Sequence, residues 1–170
     1  CAYFEYVIKD DYVRPLELLN EFDKLLVTKT FSKIHGLASI RVGYGIANPS
    51  LIEVLNRIRQ PFNVNSVAQA MACIAINDHE HIRQSVELNS QQYEFLYNKL
   101  LALGLDCIPS VGNFITFKGN FVGKEMFNNL MKKGVIVRSV DLYDMKDFIR
   151  VTIGTEAENL KFLSALEELL

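Results

Sequence analysis

The sequence has few cysteines and no close pairs of them. Cys1, Cys73 and Cys107 are odd in number and widely scattered, which excludes a disulfide scaffold and a zinc site built on paired cysteines. We therefore expect reduced thiols and a cytoplasmic protein. No apolar stretch approaches the roughly 20 residues of a membrane span, so we expect no membrane partner.

The sequence also lacks a large excess of either positive or negative charge. Lys and Arg number 18 against 20 Asp and Glu, a net charge of −2. Without a basic surface or a run of like charge, we expect no nucleic-acid partner and no charged tail. The hydrophobic content of 49% over 170 residues is that of a globular chain, long enough for one sizeable core or for a core with a small appended lobe.

The segment from Leu25 to Ala47 combines two apolar runs with a polar loop. The alternation predicts a strand, a loop and a second strand. The loop gathers two hydroxyls, an amine and a guanidinium, from Thr30, Ser32, Lys33 and Arg41. Hydroxyls and arginine bind anions, and a lysine shielded from water near other cations can become a nucleophile. The residue types alone also fit a solvated turn.

The spacing of this loop carries a family resemblance. Thr30–Lys33, Gly36–Ala38 and Arg41–Tyr44 resemble the pyridoxal-phosphate segment of the aspartate-aminotransferase superfamily, and most closely that of histidinol-phosphate aminotransferases. Ser39 stands where the family has glycine. The similarity continues to the C-terminus and implies an α/β fold: the C-terminal part of the fold-type-I large domain, followed by a small α+β C-terminal domain.

The resemblance implies pyridoxal 5'-phosphate as cofactor and assigns roles around it. Lys33 would carry the cofactor and move the proton, while Thr30, Ser32 and Arg41 would bind its phosphate. Ala2 and Tyr3 match the family's Asp-Glu-Ala-Tyr, whose tyrosine bonds the cofactor's phenolic oxygen; Cys1 replaces the glutamate, and the aspartate would precede it. We therefore expect the chain to be part of a larger enzyme and inactive alone. A native 170-residue domain is the alternative.

Two arginines near the C-terminus extend the resemblance. The segments 134–139 and 149–155, which contain Arg138 and Arg150, are similar to family segments whose arginines bind the substrate. A lone arginine in an alternating strand is also a common surface residue with its stem packed down. Arg150 lies between Ile149 and Val151 with no local charge partner, which favours an anion supplied from elsewhere.

The resemblance implies transamination of histidinol phosphate with 2-oxoglutarate and glutamate as the co-substrate pair, in a homodimer. Two alternatives keep the fold: an aromatic amino-acid aminotransferase and a threonine-phosphate decarboxylase. A third alternative is a non-catalytic fragment or partner-binding domain. Visible absorbance distinguishes this third alternative from the enzyme hypotheses, because a chain that cannot hold the cofactor stays colourless.

Periodicity and capping residues predict the remaining elements. We predict part of the cofactor-binding domain at 1–80, a connecting helix at 81–103 and a small domain at 104–170. His79 and His81 do not share a helix face, so the start of this helix is predicted to be capped and solvated, without a metal. Further predictions are an extended start at 1–6, a short helix after Pro15, a helix from Asn48 to before Pro61, a buried helix at 66–76, strands at 111–117, 135–137 and 148–154, and helices at 123–133 and 155–170.

Overall fold

The chain forms six strands and five α-helices. A computed structural model describes all residues 1–170. The elements in chain order are β1 (Leu26–Thr30), β2 (Gly43–Ala47), α1 (Pro49–Ile58), α2 (Ser66–Ala75), α3 (His79–Ala102), β3 (Asp106–Ile108), β4 (Phe114–Lys118), α4 (Gly123–Lys132), β5 (Arg138–Ser139), β6 (Phe148–Thr152) and α5 (Glu156–Glu167). None of the helices combines the length and apolar character that crossing a membrane requires.

The residues divide into two units, Cys1–Ser85 and Val86–Leu170. This division falls inside α3, which runs unbroken from His79 to Ala102. The predicted domain limits at 80 and 103 therefore bracket a single helix, and the assignment of family domains to these ranges stays a prediction. Each unit is described by itself below.

The first unit is built on an antiparallel hairpin of β1 and β2, with Val27 opposite Ile46 and Thr30 opposite Gly43. Gly43 is required there, because a Cβ atom at this position would lie 2.7 Å from the carbonyl oxygen of Lys29. The predicted strand, loop and strand are confirmed. The residues between the two strands are therefore held at the closed end of a hairpin.

Both short helices of this unit begin at a capping asparagine. The Asn48 side chain accepts a hydrogen bond from the Ser50 N–H, and the Asn65 side chain accepts one from the Ala68 N–H. Such side chains satisfy N–H groups that the first helical turn leaves without partners. The helix predicted from Asn48 to before Pro61 is confirmed as α1.

The predicted burial of α2 is wrong in this unit. Only Ala68 and Ala72 are buried, in a small cluster with Phe31 and Val42, whereas its larger apolar side chains, Val67, Met71 and Ile74, are exposed. The apolar composition of α2 predicted its helical structure, but burial depends on what packs around a helix. The hairpin and its loop cover only the small-residue stripe.

The extended start predicted for residues 1–6 is also wrong. Phe4–Tyr6 form a turn of 3-10 helix, and a second 3-10 helix spans Glu17–Asn20, where a short helix was predicted. Aromatic residues favour strands because they pack well on a pleated surface. Strand β1 contacts Phe4 and Glu5 through the Lys29 side chain, but it pairs with β2 and not with residues 4–6, so the local turn prevails.

The second unit contains a four-stranded antiparallel sheet in the order β3-β4-β6-β5. Alternate residues of its central strands are buried, namely Ile115, Phe117, Ile149 and Val151. They form one core with residues of α3, α4 and α5, including Leu96, Leu100, Leu130, Phe162 and Leu166. The structure thus contains strands and helices in the regions predicted between residues 111 and 170, with the corrections given below.

Two strand predictions need correction. β4 begins at Phe114 instead of Val111, and the short strand lies at Arg138–Ser139 instead of Val135–Val137. Val135 and Val137 are buried in the core. Their apolar character reflects this packing. In this segment only the next two residues, Arg138 and Ser139, pair with β6.

Local signals set the helix ends of this unit. Gly104, with φ of +75°, follows the end of α3, a backbone conformation that glycine adopts without strain. At the start of α5, the Glu158 carboxylate accepts hydrogen bonds from the N–H and hydroxyl of Thr155, which forms a capping box. These hydrogen bonds lower the pKa of Glu158. The predicted start of α5 is confirmed.

Asn159 is the buried polar residue of this core, with 2% of its surface exposed. Its Oδ1 accepts from the Gly154 N–H at 3.0 Å, and its Nδ2 donates to the Gly154 carbonyl at 3.1 Å and to Gln92 Oε1 at 2.9 Å. The amide thereby ties the turn after β6 to α3. Both N–H groups and the oxygen of the Asn159 amide therefore have a partner.

We expect Asn159→Leu to lower the free energy of unfolding by roughly 2–4 kcal/mol, because it leaves several part-buried polar groups without partners. The measurement is urea denaturation followed by far-ultraviolet circular dichroism. Asn129→Leu is the control, since Asn129 is exposed on α4, and its effect should stay within about 0.5 kcal/mol. Equal unfolding midpoints for the two variants would contradict the assigned role.

Candidate functional site

The loop between β1 and β2 carries the predicted lysine and has a fixed backbone. The Phe31 N–H donates to the Val42 carbonyl at 3.2 Å, and the Leu37 N–H donates to the Phe31 carbonyl at 2.9 Å. Gly36, with φ of +69°, donates its N–H to the Lys33 carbonyl at 2.9 Å. The loop is therefore an ordered turn of the hairpin.

Buried apolar side chains anchor this loop. Phe31 and Ile34 on either side of the lysine are buried, with 4% and 3% of their surface exposed. Lys33 itself is exposed. A buried residue on each side of an exposed lysine restrains the backbone while leaving the amine accessible.

Tyr3 is the predicted site residue that the structure brings to the lysine. The Lys33 amine lies 5.4 Å from the centroid of the Tyr3 ring, within the range of a cation–π contact. Tyr3 is only partly buried. The amine of Lys33 and the phenol of Tyr3 are thus adjacent, although 30 positions separate them in the chain.

The two predicted hydroxyl residues flank Phe31 just before the lysine. Thr30 ends β1, and its Oγ1 accepts a hydrogen bond from the Ser32 N–H at 3.0 Å. Because this bond uses the oxygen as an acceptor, the Thr30 O–H can still donate. Both residues are partly exposed, so two hydroxyl donors lie next to the lysine in the chain.

Arg41 lies at the other end of the loop in an uncommon conformation. Its φ of 57° and ψ of 54° are left-handed, a region that few residues other than glycine occupy and that is enriched at functional sites. Its Nη1 donates to the Ala38 carbonyl at 2.7 Å. A guanidinium has five N–H donors, so this single bond leaves the exposed group capable of binding an anion.

A second lysine nearby has a different environment. The Lys29 amine contacts the Glu5 carboxylate at 2.8 Å and lies 4.4 Å from the centroid of the Phe4 ring. Its side chain is 13% exposed. The Lys29 amine is therefore held in an ion pair, which distinguishes it from the exposed amine of Lys33.

One contact to the loop was missed by sequence reasoning. The Nε2 atom of His81, near the start of α3, lies 2.8 Å from the carbonyl oxygen of Ile34. The helix start is capped as predicted, since Asp78 Oδ1 accepts from the His81 N–H at 3.1 Å. With 47 positions between His81 and Ile34, no local pattern could have indicated this contact.

In the second unit, the structure pairs the two predicted substrate arginines. Arg138 on β5 lies directly opposite Arg150 on β6, and Thr116 on β4 lies opposite Arg150 on its other side. Ile149 and Val151, the strand neighbours of Arg150, are buried, so Arg150 points to the other face of the sheet. The Arg150 guanidinium lies 4.6 Å from the Phe114 ring centroid, as in cation–π contacts. Like charges directly opposite destabilise a sheet, and a bound anion would offset this.

The three cysteines belong neither to the predicted residues around Lys33 nor to the pair of Arg138 and Arg150. All three are free thiols. Burial, with a further contribution from the Asp106 carboxylate, raises the pKa of the Cys107 thiol to about 11. Because the thiolate is the reactive form, Cys107 is a packing residue of the second unit.

The donor set around Lys33 fits pyridoxal 5'-phosphate. A primary amine matches its aldehyde, two hydroxyls and a guanidinium match its phosphate, and a phenol stands beside the amine. When bound, the cofactor supplies a conjugated ring that stores the electrons released from the substrate carbon. Arg138 and Arg150 match an anionic substrate group in the same chemical sense.

Comparisons with known proteins agree with this chemistry. The model of the family described as aminotransferase class I and II matches residues 1–166. A histidinol-phosphate aminotransferase of Caldicellulosiruptor saccharolyticus is 47% identical over 169 residues, which cover 99% of this chain and 47% of that protein. Histidinol-phosphate aminotransferase 2 of Pseudomonas fluorescens Pf0-1 is 48% identical, with coverage of 99% and 46%. The chain thus spans about half the length of the curated relatives it matches.

A solved structure shares the fold. The histidinol-phosphate aminotransferase of Sinorhizobium meliloti, in complex with pyridoxal-5'-phosphate, superimposes with a TM-score of 0.89 at 24% identity. The match covers 99% of this chain and 46% of that one. The α/β fold expected from the sequence is therefore that of aminotransferases. With its family model matched over nearly its whole length, the chain belongs to the class I and II aminotransferases.

Proposed function

We propose that this chain is the lysine-bearing part of a pyridoxal-phosphate-dependent aminotransferase that acts on histidinol phosphate, with 2-oxoglutarate as amino acceptor. The observation that carries the proposal is the exposed Lys33 amine, 5.4 Å from the Tyr3 ring on a loop with two hydroxyls. The names of the relatives at 47% and 48% identity support this substrate. The enzyme is proposed to be a cytoplasmic homodimer.

Each residue of the loop receives a role. Lys33 would hold the cofactor aldehyde through its amine, and this amine, when free, would move the proton at the substrate carbon. Thr30, Ser32 and Arg41 bind the phosphate, and the arginine contributes most because a charge-assisted contact is roughly twice as strong as a neutral hydrogen bond. Tyr3 donates its phenolic hydrogen to the cofactor. The left-handed backbone of Arg41 is then strain retained for phosphate binding.

The second unit is proposed to be the small C-terminal domain of the fold, with Arg138 and Arg150 as binding residues for anionic substrates. Their direct opposition across β5 and β6 supports a doubly charged ligand group such as a phosphate. Two guanidinium forks complement two charges better than one fork does. A substrate carrying only a carboxylate needs only one of them.

Covalent trapping tests the assignment of the lysine. The enzyme that contains this chain is incubated with pyridoxal phosphate, and borohydride then reduces the carbon–nitrogen double bond between amine and aldehyde to a stable secondary amine. Peptide mapping is expected to place the pyridoxyl group on Lys33, because its amine is accessible while that of Lys29 is held by Glu5. Lys29→Arg is the control and should leave the label in place. A label on Lys29 would refute the assignment.

A further inference from the structure

The carbonyl group next to Lys33 in the chain is held by a side chain from another element. His81 Nε2 lies 2.8 Å from the Ile34 oxygen. The Lys33 carbonyl accepts from the Gly36 N–H at 2.9 Å. The two consecutive carbonyls, of Lys33 and of Ile34, are thus both fixed by hydrogen bonds. Together they restrain the backbone at the point where the lysine side chain leaves it.

The chemistry of the contact determines which atom carries the proton. A carbonyl oxygen only accepts hydrogen bonds, so His81 Nε2 must be the donor. The neutral ring protonated at Nε2 and the doubly protonated ring both satisfy this requirement. The contact therefore uses Nε2 of His81 as a hydrogen-bond donor.

His81 is itself held in place by the helix. It occupies the third position of α3, where its N–H donates to the Asp78 carboxylate at 3.1 Å. Ile34 is anchored from the other side by burial of its side chain, 3% exposed. The connection therefore runs from a capped helix start, through an imidazole, to the peptide that follows the lysine.

We propose that His81 is a positioning residue that holds the Lys33 loop in the conformation in which the amine reaches Tyr3 and the cofactor aldehyde. This inference rests on the proposed role of Lys33. His81 itself does not contact the reacting atoms. Without its bond, the loop would keep its buried anchors but sample more conformations, and the amine would be correctly placed for a smaller fraction of the time.

A pair of variants with the same shape separates the donor from the side-chain volume. His81→Gln keeps an N–H donor near the position of Nε2, whereas His81→Glu presents only oxygen acceptors to the carbonyl. Glutamate is favoured at the third position of a helix, so His81→Glu should leave α3 intact. His79→Glu is the matched control, because His79 lies on the same turn and is exposed.

Two measurements report on the positioning role. The first is hydrogen exchange of the peptide covering residues 31–37 in the cofactor-free protein. The second is the rate at which pyridoxal phosphate labels Lys33 before borohydride trapping. In His81→Glu we expect exchange about five- to tenfold faster and labelling about as much slower, from the loss of one hydrogen bond. His81→Gln and His79→Glu should stay within about twofold of the wild type.

The turnover kinetics give a third readout. His81→Glu should lower kcat by roughly five- to tenfold and leave KM within about twofold, because the substrate arginines are untouched. Unchanged exchange and labelling in His81→Glu would overturn the inference, and so would equal losses in His81→Gln. If glutamate prevents folding, His81→Leu gives the same comparison without the charge.

Failure of the proposed function is distinguishable from failure of this inference. A wild-type label outside Lys33 would refute the lysine assignment whatever the His81 variants do. A label on Lys33 combined with wild-type exchange in His81→Glu would refute the positioning role alone. Faster exchange together with slower labelling at Lys33, with rescue by His81→Gln, is the result expected.

Discussion

Lys33→Ala is expected to lower the transamination rate of the enzyme that contains this chain by roughly a thousandfold or more, with little change in stability. The expected loss follows from the proposed role of Lys33 in both holding the cofactor and moving a proton, since a positioned general acid–base alone contributes about 10²–10⁴-fold. The unfolding free energy should change by less than about 0.5 kcal/mol, since the side chain is exposed.

Lys29→Ala, on the same hairpin, is expected to lower stability more than turnover. Its amine pairs with Glu5 at 2.8 Å in a largely buried setting, so its removal should cost roughly 1–3 kcal/mol of stability and leave much of the turnover of the remaining folded enzyme. The measurements are steady-state kinetics and urea unfolding of both variants. Turnover in Lys33→Ala within tenfold of the wild type would contradict the assigned role of Lys33.

Replacing each of the paired arginines is expected to change kcat/KM differently for the two substrates. Arg150→Ala should reduce kcat/KM by roughly a hundredfold for both histidinol phosphate and glutamate, because removing one partner of a charge-assisted contact costs about 2–5 kcal/mol. Arg138→Ala should reduce kcat/KM for histidinol phosphate by a similar factor but change that for glutamate less than about threefold. The difference reflects the group that the arginines would bind, a doubly charged phosphate in histidinol phosphate and a singly charged carboxylate group in glutamate.

The strand register adds a stability test to the same variants. Arg138 lies directly opposite Arg150, so Arg138→Ala removes a like-charge pair and should raise the unfolding free energy by up to about 1 kcal/mol. Arg150→Ala should not share this gain, because it also loses the contact with the Phe114 ring at 4.6 Å. Arg150→Lys keeps the charge without the planar fork and should retain intermediate activity.

The competing substrate hypothesis is tested in the same assays. If kcat/KM for phenylalanine or tyrosine exceeds that for histidinol phosphate, the enzyme is an aromatic amino-acid aminotransferase and Arg138 has another role. Equal effects of Arg138→Ala on both half-reactions would remove the argument for a paired phosphate site. In either case, the lysine assignment would stand on its own test.

Sequence alone determined the features that depend on neighbouring residues. Asn48 begins α1 because its side chain accepts from the Ser50 N–H, and Thr155 begins α5 because the Glu158 carboxylate accepts from its N–H and hydroxyl. The loop with Lys33 follows from two apolar runs that pair as a hairpin. The family followed from the motif around Lys33, whose residues are close together in the chain.

Tertiary structure decided what depends on distant partners. Aromatic residues at 4–6 form a 3-10 turn because no strand pairs with them, and Val135 and Val137 fill a core instead of pairing. The register that sets Arg138 opposite Arg150 follows from the pairing of β5 with β6, which strand patterns do not specify. The His81–Ile34 bond joins residues 47 positions apart, and only folding brings a helix start to a hairpin loop.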